Sequence, residues 1–489
     1  MRSIRIAFAT VGVMAITKVV VAQAGLPETV QNLRRMDRPF GSAPTCSLTA
    51  SATTLPAGGT TPSTLNWSTT YATRVTLNQG TVGANGSLVV RPLTDATYTL
   101  TAFGDPGAAP AVCQEVIHVT QPTCANGAIC PVTCGTGLIP DVRTGALLTL
   151  PPDRMVHVLL VAEGYTASDT ARFHTDVNNW MSQWSALDAY DTFREAFCFW
   201  KLPAVSNQRI VPGGVVEDTA FRVPVDAGGG VDLSDPLEID VVEQRVWAEI
   251  PRLPFPPATF YPTTASRTRG MAKNLVVAGL LYEAAVGRSG YGGQTTLLVN
   301  PANANRSVAS AFGLNHPHEF THAFARLRDE YITLDGDPIC VPVSGAWSSG
   351  NVSNVVCGST CASLPWKHLV AGGEVNPSLG GLVGAFGHPE EGYHSELKCL
   401  MNGDRTANAT VFGGETELRD EGRMCNFCRE LTVFRLFERI GELLDTVTSY
   451  ATWQSSYRGG FYSTYGMDVP AVVPMQSPPG RPVFNACTP

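Results

Sequence analysis

Three of the nine histidines in this 489-residue chain fall close together, at His316, His318 and His322, within Asn315-His316-Pro317-His318-Glu319-Phe320-Thr321-His322. His318 and His322 are four positions apart, so a helix puts both imidazoles on one face, one turn from each other. Two neutral imidazoles with that separation can take two corners of a tetrahedral zinc site. Glu319 sits beside them without needing to ligate, and can accept a proton from a water that the metal activates. Pro317 suits the first helical turn, with Asn315 or His316 as its cap. The pattern therefore predicts metal-assisted hydrolysis, with His318 and His322 as metal ligands and Glu319 as general base. The competing reading is an ordinary helix that carries two structural histidines.

A third ligand is needed. Asp329 lies eleven residues after His318, about 16 Å along an uninterrupted helix and too far to reach the same ion. The helix must end soon after His322 and turn back. Glycine would ease such a turn, but the chain has Ala325 and Arg326 there and no Gly before Gly336. Asp329 ranks first as the third ligand and Glu330 second. The distant His368, His388 and His394 come third. His394 also follows Gly392-Tyr393 shortly before Met401, where it could bind substrate or polarise a scissile carbonyl. Asp335-Gly336-Asp337 offers acidic oxygens for calcium, but three residues make no EF-hand loop, and a solvated turn is the preferred reading.

The elements that must position these residues follow from periodicity. Val156-His157-Val158-Leu159-Leu160-Val161-Ala162, apolar except for His157, reads as a buried strand. Phe173, Val177, Trp180, Met181 and Trp184 recur at three- and four-residue steps and predict a helix. Met271 to Ala285 suggests another helix and Thr295 to Asn300 another strand. Strands mixed with helices indicate an α/β or α+β catalytic domain over 154–449. Residues 45–121 differ in composition. They are rich in Ser, Thr, Val and Gly, with short alternating runs about every ten residues, the signature of a small all-β sandwich with Trp67 in its core. The Cys-rich stretch 122–153 reads as a disulfide-braced hinge, and 450–489 as an extended tail.

Arg2 and Arg5, the apolar stretch Ile6 to Ile16 and Ala22-Gln23-Ala24 read as a signal peptide over 1–24, followed by a linker over 25–44. Lys18 interrupts the apolar run and leaves it too short to span a bilayer. An exported chain places its 13 cysteines in an oxidising compartment, where most should pair. Cys46 and Cys113 lie near the two ends of the sandwich and are expected to pair. Cys425 and Cys428 are expected to join a disulfide network with Cys399, in preference to a redox motif or a second zinc site. The net charge of −8, with only 16% charged residues, makes nucleic acid and anionic membranes poor electrostatic partners.

His318-Glu319-Phe320-Thr321-His322 followed by Asp329-Glu330-Tyr331 resembles the active-site segment of the bacterial IgA-peptidase family of zinc metallopeptidases. Ala162-Glu163-Gly164-Tyr165-Thr166, Tyr291-Gly292-Gly293, Cys399-Leu400-Met401 and Cys425-Asn426-Phe427-Cys428 agree with it in order and spacing. The likeness runs from about Arg154 to Leu443. It implies a metzincin-like fold with Met401 in the tight turn beneath the metal, one catalytic Zn2+, and an extracellular protein or glycoprotein substrate, such as immunoglobulin A or a mucin-like chain. The preceding sandwich is similar to bacterial immunoglobulin-like domains. A secreted adhesion or glycan-binding protein with an inactive peptidase-like domain is the alternative. Oligomeric state and substrate identity are not encoded in these motifs.

Overall fold

The structure, a computed structural model, describes residues 43–57, 59, 61–121, 124–209, 218–223, 245, 248–249, 252–253, 275–281, 288–289, 296–299, 315–328, 330, 353–355, 365–372, 382–385, 388–395, 399–401, 424–443 and 449–464. The expected signal segment and almost all of the linker lie outside them. The content is mixed α/β, arranged around two hydrophobic cores.

The first core belongs to eight strands. A three-stranded sheet, in the order β1-β3-β6, pairs β1 (Thr45–Ala50), β3 (Ser63–Thr70) and β6 (Asn85–Val90) antiparallel. A five-stranded sheet contains β2 (Thr54–Pro56), β8 (Ala111–Thr120), β7 (Ala96–Phe103), β4 (Arg74–Leu77) and β5 (Gly80–Val82) in that order. Alternation selects the inward face. Ala96, Tyr98 and Leu100 of β7 are buried with Leu48, Leu65, Val75 and Ile117, so each sheet hides one side. The Cys46–Cys113 disulfide forms as expected and joins β1 to β8. Trp67 departs from expectation. It is only partly buried, its indole N–H donates to the Gly83 carbonyl at 2.9 Å, and its ring covers Gly86, where a Cβ would clash. The fully buried aromatic ring is Tyr98.

The second core surrounds a six-stranded sheet in the order β15-β16-β14-β12-β13-β9. Its strands are β9 (Cys130–Cys134), β12 (Val156–Glu163), β13 (Phe197–Leu202), β14 (Leu275–Leu281), β15 (Arg288–Ser289) and β16 (Thr296–Val299). β12, β13, β14 and β16 run parallel, and β9 and β15 close the edges antiparallel. All eight residues of β12 are buried, as a central parallel strand covered on both faces requires. A short ladder, β10 (Leu138–Pro140) with β11 (Leu147–Thr149), sits between the two cores.

Three expectations change here. Residues 275–281 form a strand, not a helix, because a short apolar run can satisfy either period and its parallel pairing to β12 decides the matter. The stretch 122–153 is no simple hinge: β9 is an edge of the large sheet, and the disulfides Cys124–Cys130 and Cys134–Cys198 brace it. Residues 449–464 are helical rather than extended. Trp453, Tyr457 and Phe461, four residues apart, give that segment a buried stripe that outweighs its Gly and Ser content.

The helices are α1 (Thr170–Ser185), α2 (Asp188–Thr192), α3 (Asn315–Ala325), α4 (Lys367–Gly372), α5 (Asn426–Arg439), α6 (Ser449–Thr452) and α7 (Arg458–Thr464). A hairpin pairs β17 (Leu382–Ala385) with β18 (His388–His394). Among the described residues no helix is long and apolar enough to cross a membrane.

Candidate metal centre

Helix α3 is held by its apolar face. Phe320 and Phe324, four residues apart, stack on each other and meet Tyr190, while Phe320 also meets the edges of Trp180 and Trp184 on α1. Thr321 is fully buried. Its hydroxyl lies 3.0 Å from Tyr190 Oη and donates to the Pro317 carbonyl at 2.7 Å. The C-terminal carbonyls of α3 are taken by α5: Arg439 Nε donates to Phe324 O at 2.9 Å and Nη2 to Ala323 O at 3.0 Å. That satisfies orphan acceptors and places positive charge at the negative end of the helix dipole. Arg154 does the same for α5, donating to Ile440 O at 2.9 and 2.8 Å.

The adjoining face of α3 carries His318 and His322. Their Nε2 atoms lie 3.1 Å apart, with ring planes near perpendicular at 86°. His318 Nδ1 is 2.9 Å from Leu400 O, and His322 Nδ1 is 2.6 Å from Leu327 O. A carbonyl only accepts, so each Nδ1 carries the proton and, in the neutral rings, each Nε2 presents its lone pair. Two lone pairs facing each other at 3.1 Å repel unless a proton or cation lies between them. The spacing is close to the roughly 3.3 Å edge of a tetrahedron with metal–nitrogen bonds of about 2.0–2.1 Å. Backbone carbonyls behind metal-binding imidazoles are also the usual orienting partners.

The chain turns immediately after the pair. Arg326 donates its N–H to His322 O at 3.0 Å and takes φ +59°, so a non-glycine residue makes the left-handed turn that the spacing demanded. Beyond it, Asn354 clamps the backbone: its side chain accepts from Arg328 N and donates to Arg328 O, both at 2.8 Å. Glu330 N then donates to Met401 O at 2.8 Å. Met401 is fully buried, next to the residue whose carbonyl orients His318.

Other expected residues separate. Asp329 lies outside the described residues, as does the Asp335-Gly336-Asp337 turn. Glu319 and His394 are placed by their backbone alone, on α3 and at the end of β18. His368 is drawn elsewhere: its Nε2 lies 2.7 Å from Glu430 Oε2, in a buried network with Trp453 Nε1, Arg458 Nε and Tyr462 Oη. Burial opposes ionisation of Glu430, but His368 and the other donors outweigh it and hold the carboxyl below its ordinary range. Glu163, from the Ala162-to-Thr166 segment, accepts from Thr219 Oγ1, Phe221 N and Val223 N at 2.5–3.0 Å, so it pins a neighbouring loop.

Glu330, second choice as a partner for the histidines, joins a different group. With Cys399, Cys425 and Cys428 it forms a buried cluster that could hold a metal ion, with one donor atom from each residue lying within 4.8 Å of the others. These three cysteines are thiols here and not the expected disulfide network. Sequence reading missed the cluster because Glu330, Cys399 and the Cys425/Cys428 pair come from three separated segments. Only the C-x-x-C spacing hinted at it.

No protein-family model and no curated protein matches this chain.

Proposed function

We propose that the chain is a secreted zinc endopeptidase, akin to the bacterial IgA-peptidase metallopeptidases, with a metzincin-like catalytic domain behind an immunoglobulin-like sandwich. One observation carries this reading: the Nε2 atoms of His318 and His322 converge at 3.1 Å while both Nδ1 atoms are committed to backbone carbonyls. His318 and His322 would hold the ion. Asp329 is the proposed third ligand, because Leu327 on one side of it orients His322 and Glu330 on the other is tied to Met401.

When bound, zinc supplies a Lewis acid that lowers the pKa of water and polarises a peptide carbonyl. Glu319, between the two histidines on α3, takes the proton from the attacking water at its carboxylate and returns it to the leaving amine. Met401 would form the floor of the site, and His394, the last residue of β18, is the proposed substrate-binding residue. Three disulfides among the described residues accord with an extracellular setting. The substrate class is extracellular protein or glycoprotein. Arg326 makes the left-handed turn without glycine, so the lack of a Gly there does not favour the inactive adhesion reading.

The test is elemental analysis of never-chelated mature protein beside His322→Ala, with cleavage assays on casein, immunoglobulin A and mucin-type glycoproteins. Zinc that His322→Ala loses, together with chelator-sensitive cleavage, is the expected result. Absence of zinc sensitive to His322→Ala in folded protein would sink the proposal.

A further inference from the structure

We propose that Glu330, Cys399, Cys425 and Cys428 form a second metal centre, a structural zinc site that fastens the loop beneath the histidine pair. It does not depend on the peptidase reading. The four residues are at most 1% exposed. Their donor atoms all lie within 4.8 Å of one another, and tetrahedral zinc with metal–sulfur bonds of about 2.3 Å would place sulfurs about 3.8 Å apart. Only a small contraction separates the two arrangements.

The donor set argues for a cation over a disulfide. Three sulfurs are an odd number, so any single disulfide leaves one thiol buried beside a buried carboxylate. A divalent ion uses all four groups. Coordination converts each thiol to a thiolate and releases three protons to solvent, and the carboxylate brings a fourth negative charge against two positive ones. The surroundings already donate toward that charge. Cys425 N donates to Cys399 Sγ at 3.2 Å, Ser395 Oγ lies 3.5 Å from Cys425 Sγ, and Asn354 Nδ2 donates to Glu330 Oε1 at 2.9 Å. Cys425 occupies the N-cap position of α5 and Cys428 lies in its first turn, where the helix dipole favours thiolate.

The ligands also explain what the ion would do. Glu330 follows the turn after α3 and bonds through its N–H to Met401 O. Cys399 immediately precedes Leu400, whose carbonyl orients His318. Cys425 and Cys428 begin the helix whose far end, Arg439, caps α3. One ion would join the three segments that frame the histidine pair, which replaces loop-closing entropy with coordination bonds.

The experiment uses the whole mature chain and separates the two sites. In the His318→Ala/His322→Ala double variant, about one zinc per chain should remain. Cobalt(II) exchanged into that variant should show thiolate-to-metal charge-transfer absorption, which a histidine–carboxylate site cannot produce. Cys428→Ser in the same background should lose both signals. If Cys428→Ser does not fold, alkylation of unmodified protein decides: Cys399, Cys425 and Cys428 should resist labelling until a strong chelator is added. A disulfide between any two of the three in native protein, labelling independent of chelator, or cobalt without sulfur charge transfer would each overturn the proposal.

Discussion

His318 Nδ1 lies 2.9 Å from the carbonyl oxygen of Leu400, a residue 82 positions further along the chain. That contact sets which nitrogen of His318 faces its partner, and it depends on the shape of the loop at Met401. Met401→Ala removes a fully buried side chain and should cost about 2–5 kcal/mol of stability. It should also weaken metal binding at the histidines by roughly 10–100-fold. Met401→Leu, close in volume, should cost less than about 1.5 kcal/mol. Denaturant midpoints and chelator competition measure both effects, and native metal affinity in Met401→Ala would count against this role.

Glu319→Gln keeps the size of the side chain and removes the base. Turnover on the best substrate should fall by on the order of 10²–10⁴-fold, while zinc at the histidines is retained. A near-native rate would eliminate Glu319 as the proton carrier.

At Arg326, φ is +59°. A non-glycine residue pays about 1–2 kcal/mol there, whereas glycine adds about 0.5–1 kcal/mol of unfolded-chain entropy. Arg326→Gly should therefore leave the melting temperature unchanged or slightly raised. Arg326→Val, β-branched and worse in this region, should lower it and reduce bound metal. The reverse order of stability would show that the turn is held by something other than backbone conformation.

His157 is buried and neutral: Nε2 lies 2.8 Å from Pro152 O, and Nδ1 accepts from Trp200 Nε1 at 2.9 Å. Burial lowers its pKa to about 4, against the pull of the Pro152 carbonyl. Between about 6.5 and 4 the unfolded chain binds a proton that the native state refuses, so stability rises with pH across that window. The contribution is whole above about pH 6.5 and is lost as pH falls toward 4, about 3 kcal/mol in all. Unfolding by urea at pH 7.5 and 4.5 should show wild type losing most of that amount beyond what His157→Gln loses. Equal losses would mean that His157 titrates normally.

Much of the candidate site was legible in residue spacing. His318 and His322 on one helical face, the strand at Val156, helix α1 and the Cys46–Cys113 pair all follow from local periods and simple positional arguments. Leu275 to Leu281 was misread because a short apolar run carries no decisive period. Trp67 was misread because composition does not say which aromatic side chain points inward, and β7 points Tyr98 there instead.

What the sequence alone determined is therefore local: the i, i+4 histidines, the glutamate between them and the apolar faces that make α3 a helix. What only the tertiary structure decided is the orientation of the candidate ligands. Leu400 and Leu327 assign the imidazole protons, Arg326 accepts a left-handed turn without glycine, and Glu330 goes to the thiols and not to the histidines. Helical spacing is a property of neighbouring residues, whereas hydrogen bonds and metal-binding clusters join segments tens of residues apart, whose meeting is dictated by how the sheet and α5 pack.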